Sequence, residues 1–480
     1  MNARTWCLRA LLLVGFVAFP FFTGCSDPNE PEQKPEEIVN SDKPNSNTRV
    51  LLQTAIGEGN TWSTIWRLVP DNLGGNYFRG GYNSNDGVGR VNGDGSLAWF
   101  SRAGRYAVDL CALSATASVP NGLVVAAKQD VDNVGGSDVG YVSLFSPGGS
   151  LLNELVYSAD TCDVWLNSIV PISDSTFVVV GGWSALDVEH PFVATVELTP
   201  SGLLEKGNQV IIDSILQRRF GTAVTDASQI TPSEVSFYAL SSGTDARSTL
   251  VHKISLSLPT LSPWTVDWSR EVTADPAHKS SLGDVCFFEN NLYVTGRCDN
   301  PSKQPVPSDG GYWQSGLIAS LTLAGDIRWI GSVSPSSEHD AFYEVAATPG
   351  GLYAIGFCSV FSQSDQYFGY GLISKMASAT FNVISNMSFG KDSYQSGFHD
   401  GFVTGGVIRC GGWTMEEGAN SSNRAWYCVI NALTSRSMAA SSLGPRPGDA
   451  GESDGTIADG HRNGAPNGFL PPAFREANWR

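Results

Sequence analysis

Phe177-Val178-Val179-Val180-Gly181-Gly182-Trp183 is the stretch on which the reading of this chain turns. Three consecutive valines after an aromatic residue favour a strand. Two glycines then leave bare backbone, and a large ring ends the segment. The order returns in Val407-Ile408-Arg409-Cys410-Gly411-Gly412-Trp413 and in Asn76-Tyr77-Phe78-Arg79-Gly80-Gly81-Tyr82. Leu292-Tyr293-Val294-Thr295-Gly296-Arg297-Cys298 and Leu352-Tyr353-Ala354-Ile355-Gly356-Phe357-Cys358 are further copies, and 123–129 and 237–243 are weaker ones. The small position falls on Gly80, Ala127, Gly181, Ser241, Gly296, Gly356 and Gly411, at spacings of 47, 54, 60, 55, 60 and 55.

A hairpin follows each copy. Residues 316–323 lead through Ala324-Gly325-Asp326 into Ile327-Arg328-Trp329, and 87–91 lead through Asn92-Gly93-Asp94-Gly95 into Leu97-Ala98-Trp99. Glycine-bearing turns between apolar runs mark hairpins. Another apolar stretch, such as 341–348, precedes each small-residue strand. Four strands per unit of roughly 55 residues, without helical periodicity, predict an all-β fold. Seven copies predict a seven-bladed β-propeller over 49–440. A β-helix or two-sheet array is the alternative. The small residue is expected where blades crowd near the axis. The seventh unit has only three strands, and 49–57 reads as a spare strand that would complete it and seal the ring.

The 480 residues carry 30 Lys and Arg against 47 Asp and Glu, a net charge of −17, with no basic run. A phosphate-neutralising surface is therefore excluded, and nucleic acid is not expected as a partner. Glycine, at 52 residues, exceeds its usual ~7% share, in keeping with many tight turns.

Arg4 and Arg9 precede an apolar run at 10–22, too short to cross a membrane but suited to a signal peptide. The run ends in Phe22-Thr23-Gly24-Cys25, which resembles the lipobox of bacterial lipoproteins. The resemblance implies cleavage after residue 24, acylation of Cys25 and a membrane partner reached through that lipid. Phe22 stands where Leu is usual in that family. Residues 25–48, rich in acids and proline, read as a disordered tether. Ser26, not Asp, follows the cysteine, which under the sorting rule of such lipoproteins points to the outer membrane or cell surface rather than the inner membrane. The whole layout resembles secreted and lipid-anchored bacterial propeller proteins with degenerate repeats. It lacks the signature dipeptides of kelch and tryptophan–aspartate repeats. The last 40 residues, 441–480, hold 12 Gly or Pro and read as a disordered tail.

Chemistry is sparse. None of the six histidines has metal-site spacing, and there is no HExxH. Gly451-Glu452-Ser453-Asp454-Gly455 matches a nucleophile elbow but lies in the tail, without the strand and helix that motif needs. Asp130, Asp132, Asn133 and Asp138 suit either a calcium loop or a plain solvated loop, and no other cofactor is expected. Cys410 and Cys428 are a disulfide candidate. If Trp413 lies opposite Ala425, both pairs sum to 838 and the two cysteines face each other. Trp99, Trp268 and Trp329 fall on fourth strands and are expected to pack between blades. Tyr82, Trp165, Trp183, Trp313, His339, Asp340 and Trp413 border loops on one face and are ligand-face candidates, against a reading in which each packs at a loop base. The functional expectation is a cell-envelope lipoprotein whose propeller binds or scaffolds a glycan or protein. The alternative is an extracytoplasmic hydrolase or lyase acting on polysaccharide, with Asp284, Glu344, Asp340 and His399 as first candidates. Carboxylates converging on a central pocket would favour that enzyme.

Overall fold

The computed structural model describes residues 50–432, except 59–60, 105, 130–137, 159–161, 186–187, 213, 216–217, 226–230, 232–233, 244–248, 259, 261–263, 276–277, 304–312, 337, 362–366, 391–394 and 416–422. Seven antiparallel four-stranded sheets make seven blades. Their first strands are Thr64–Pro70, Ala107–Ala112, Asp163–Pro171, Arg218–Thr225, Ser280–Phe288, Asp340–Thr348 and Ser396–Thr404. Among the described residues the only helical element is a 3-10 turn at Arg102–Gly104.

The ring closes through the first and last described strands. Val50–Ile56 pairs antiparallel with Asn423–Asn431, so the first strand in sequence is the outer strand of blade 7. No edge is left open between the first and last blades. The core lies between neighbouring blades. Val124, Val142 and Leu144 of blade 2, for example, pack against Val179, Phe192 and Ala194 of blade 3.

Every first strand carries a β-bulge at the same place. The unpaired residues are Trp66, Val108, Asn167, Gly221 with Thr222, Gly283, Tyr343 and His399. A bulge turns the backbone and drives a carbonyl toward the second strand. Cβ atoms added at Gly80, Gly181, Gly296, Gly356 and Gly412 would sit 1.9–2.0 Å from the carbonyl oxygens of Thr64, Trp165, Ser281, Ala341 and Gly397. The small residue therefore answers the bulge in its own blade, not crowding between blades. In blade 7 it is Gly412, opposite Phe398, and not Gly411. Gly411 is small for the crowding reason: a Cβ there would lie 2.3 Å from the Ile65 side chain of blade 1. Blades 2 and 4 tolerate Ala127 and Ser241, and the blade 4 bulge is two residues wide.

Outer strands are locked to the next blade by tryptophan. Trp99 Nε1 donates to the Pro147 carbonyl at 2.9 Å, and Trp268 Nε1 donates to that of Leu323 at 2.9 Å. Both indoles cover turn glycines of the following blade, Gly149 and Gly325, each at φ +85°. Trp329 instead meets Phe381 of blade 6, with ring centroids 6.0 Å apart.

Candidate functional site

Polar groups at the bulges or just after them brace the neighbouring blade. Asp109 of blade 2 accepts from Ile169 N–H at 3.0 Å and from the Ser168 hydroxyl at 2.6 Å in blade 3. Asp284 of blade 5 accepts from Val345 N–H of blade 6 at 3.2 Å, and Asp400 of blade 7 accepts from Leu68 N–H of blade 1. These donors follow the bulges, where the ladder has lost its register. Asn167 donates to the Phe220 carbonyl at 2.6 Å, joining blades 3 and 4. Thr222 donates to that of Gly283 at 3.1 Å, joining blades 4 and 5. Glu344 of blade 6 and Asp400 of blade 7 are joined through Arg67 Nη1, which lies against both. Arg67 joins blades 1 and 2 through Nε, 3.2 Å from Asp109. All seven blade junctions are thus stapled by polar groups at the axis.

Arg67 also reaches across the ring. Its Nη1 lies 2.6 Å from Glu344 Oε2 and 3.6 Å from Asp400 Oδ1. Held between blades 1, 2, 6 and 7, its side chain nonetheless stays 28% exposed. Burial alone would lower its pKa; the fields of Glu344, Asp400, Asp109 and Asp284 outweigh that and raise it. The acids move the other way. Burial, aided by Asp284 and Asp400, lifts Glu344 well above the carboxylate range despite Arg67. Burial pushes Asp284 up to about 6 against the pull of Arg67, and raises Asp400 as well. Glu344 is the one acid of the four that accepts no backbone N–H from a neighbouring blade among the described contacts.

The bulge residues on three consecutive blades are aromatic: Tyr343, His399 and Trp66, all partly exposed. Tyr343 stacks on Phe357, with centroids 5.9 Å apart, and meets His399 at 5.5 Å. Arg79 lies over Trp66 at 5.3 Å. Burial and the nearby Arg79 push His399 down to about 3, so its ring is neutral. Across the channel the bulges are small or polar: Val108, Asn167, Thr222 and Gly283. The aromatic bulge residues are thus confined to blades 6, 7 and 1.

The loop-bordering residues singled out in the sequence do not gather into one rim. Trp165, Trp313, Asp340 and Trp413 are buried. Trp165 covers the bare backbone of Gly182, and Trp413 lies against Gly397. Asp340 is fully enclosed, 2.8 Å from Lys303 Nζ, and burial raises it to about 6. Trp313 meets His339 edge-on at 4.5 Å. Tyr82, Trp183 and His339 keep partial exposure, with Tyr82 on Phe100 and Trp183 on His190. These rings pack at loop bases.

Of the four candidates for acid–base work, Asp284 and Glu344 converge at the axis, His399 adjoins them, and Asp340 lies apart with Lys303. Arg67, Asp109, Asp400 and the bulge residues Trp66 and Tyr343 were missed. The available signal was an acid inside the first strand, at the third residue for Asp109 and at the fifth for Asp284, Glu344 and Asp400.

Cys410 does lie directly opposite Cys428. The candidate bond is not formed here, and both are free, buried thiols. Directly opposed Cβ atoms stand about 4.5–5.5 Å apart in a sheet, wider than the roughly 3.8 Å that a disulfide needs. Of the calcium-loop residues, Asp138 donates its backbone N–H to Asp163 at 2.8 Å, while Asp130, Asp132 and Asn133 lie outside the described residues. Among the described residues no group of three or more His, Cys, Asp or Glu is arranged to hold a metal ion. Cys25, the tether at 25–48 and the tail at 441–480 also lie outside them.

No family model matches the chain, and no curated protein matches it. Among solved structures it is similar to hydrazine synthase of Kuenenia stuttgartiensis, at 10% identity and a TM-score of 0.48, covering 78% of this chain and 96% of that one. It is also similar to an oligogalacturonate lyase from Vibrio parahaemolyticus, at 8% identity and a TM-score of 0.42, covering 80% and 96%. An alpha-L-arabinofuranosidase of Fusarium graminearum, solved with arabinobiose, matches at 9% identity and a TM-score of 0.38, covering 68% and 92%. These likenesses assign no role to any residue of this chain.

Proposed function

We propose that this chain is a lipid-anchored, extracytoplasmic protein of the bacterial cell envelope whose propeller binds or scaffolds a glycan or protein. The carrying observation is how the axial acids are used. Asp109, Asp284 and Asp400 each accept a backbone N–H of the next blade, so they brace the ring and are poor acid–base partners. What remains for a ligand is the aromatic arc of Trp66, Tyr343 and His399, whose faces suit a sugar ring or an aromatic side chain. Anchoring rests on Phe22-Thr23-Gly24-Cys25 and the tether behind it.

Two experiments test this reading. Glycan and peptide arrays probed with the soluble domain should give a ligand whose affinity drops at least tenfold in Trp66→Ala and Tyr343→Ala. Unchanged binding in both would remove the arc from the account. Cys25→Ser should move the protein from the detergent phase to the soluble fraction, and retention in the membrane would contradict anchoring through that residue.

One observation favours a second reading as a polysaccharide hydrolase or lyase. Glu344 sits in the channel with a raised pKa beside a guanidinium, as a general acid would. Under that reading Glu344→Gln abolishes turnover that the wild type shows on some polysaccharide. A wild type inert across a broad panel leaves the binding reading alone.

A further inference from the structure

We propose that the ligand of the aromatic arc is an acidic glycan, with Arg79 of blade 1 as the anchor for the carboxylate of a uronic acid residue. The inference rests on the binding reading above and narrows it to one chemical class. It starts from a row of second-strand residues, each paired with the first residue after its blade's bulge. In blades 2 to 7 these are Ala126, Val180, Ala239, Thr295, Ile355 and Gly411, all uncharged. Blade 1 alone carries a charge there: Arg79, directly opposite Arg67. Like charges opposed across a ladder repel, so the second arginine does not serve the pairing of the strands.

The charge of Arg67 is answered by Asp109, Glu344 and Asp400. Among the described residues no carboxylate makes an ion-pair contact with Arg79. The acids whose fields reach it are engaged elsewhere or lie in solvent. Asp109 accepts from Arg67, the Ser168 hydroxyl and the N–H groups of Leu110 and Ile169. Asp400 accepts from the N–H groups of Leu68 and Gly401, and Asp86 is exposed. Burial, with Arg67 adding to it, pulls the Arg79 pKa down to about 10 against the fields of Asp109, Asp400 and Asp86, so the group stays charged at neutral pH. A half-buried cation without a counter-ion leaves its site short of one anion.

The donors of Arg79 are also unspent. Nη1 donates to the Ala107 carbonyl at 2.6 Å, and Nε is buried without a partner. The remaining N–H groups are all on Nη1 and Nη2, at the tip of a side chain that keeps partial exposure. Such a tip is the fork that holds a carboxylate through two hydrogen bonds. The guanidinium carbon stands 5.3 Å from the centroid of the Trp66 ring, and Trp66 meets Trp62 at 5.1 Å. Both indoles are partly exposed. A uronic acid joins an apolar C–H face to a carboxylate held directly on its ring, which matches indoles set beside a guanidinium. An acidic peptide carries its carboxylates on flexible stems without that face, and ordering those stems costs entropy.

Titration calorimetry of the full chain with a panel of oligouronates, their methyl esters and a polyglutamate peptide tests this. An oligouronate should bind at least about tenfold more tightly than its ester, which keeps the ring and loses the charge. Arg79→Gln should erase that difference and leave binding of the ester unchanged. Equal affinity of wild type for acid and ester overturns the proposal, as does no binding of any oligouronate; the arc itself is judged separately by Trp66→Ala and Tyr343→Ala. Tighter binding of polyglutamate, or displacement of the oligouronate by an equal concentration of acetate or inorganic phosphate, also overturns it, in favour of a peptide or of any small anion. Should Arg79→Gln fail to fold, phenylglyoxal modification of the wild type decides. Saturating oligouronate should slow modification of Arg79, read by peptide mass, at least about tenfold relative to the ester. Equal rates with both refute the anchor.

Discussion

A methyl group at Gly356 would lie 1.9 Å from the carbonyl oxygen of Ala341. That oxygen belongs to the strand whose bulge presents Tyr343 and Glu344, so it cannot retreat without disturbing the axis. Gly356→Ala should cost about 2–3 kcal/mol by overpacking, measured by denaturant unfolding, while Ser241→Ala at the equivalent place in blade 4 should cost under about 1 kcal/mol. Equal costs would mean that the bulge does not impose the glycine. The repeat of small residues is plain in the sequence; its cause is not. A bulge is one extra residue between strands, invisible to a period-two pattern, and it moved the equivalent glycine in blade 7 from Gly411 to Gly412. Two of the four axial acids stayed hidden for the same reason. Asp109 and Asp400 look like ordinary strand-border residues until the bulge turns them inward.

Strand registers were more accessible, because a hairpin's loop fixes its pairing. Cys410 opposite Cys428 followed from assuming Trp413 opposite Ala425, and both pairs occur. The chemistry between the sulfurs was not accessible, since it depends on spacing and burial. Burial lifts both thiols well above their ordinary value, with Asp400 adding to the effect at Cys410 and Cys410 at Cys428. The thiolate is the reactive form. Both cysteines should therefore resist alkylation in the folded protein at pH 8 and react once it is denatured, as intact mass will show. A mass 2 Da below that of the reduced chain would instead reveal a bond that closes the pair. The outer-strand tryptophans are a second accessible feature. Trp268→Ala would lose the bond to Leu323 and uncover Gly325, costing about 2–4 kcal/mol in thermal unfolding, and a cost near zero would contradict its bracing of blade 5.

At the scale of the whole molecule, blade count and closure could be read because each unit repeats and the last one lacks a strand. Where a ligand meets the ring could not, since the rings that border loops fill loop bases and the axial arc is assembled from three distant segments. The central claim is that one short strand, Val50–Ile56, turns seven sheets into a closed ring by pairing with Asn423–Asn431. Removing it bares the outer edge of blade 7 and uncouples Ile56 from Tyr427 and Val429 in the core shared with blade 1. The decisive measurement is thermal unfolding with light scattering on two truncated chains, one lacking residues 1–48 and one lacking residues 1–57. The first should unfold cooperatively as a soluble monomer. The second should unfold at least about 10 °C lower and aggregate. Indistinguishable unfolding of the two chains would contradict closure by the N-terminal strand.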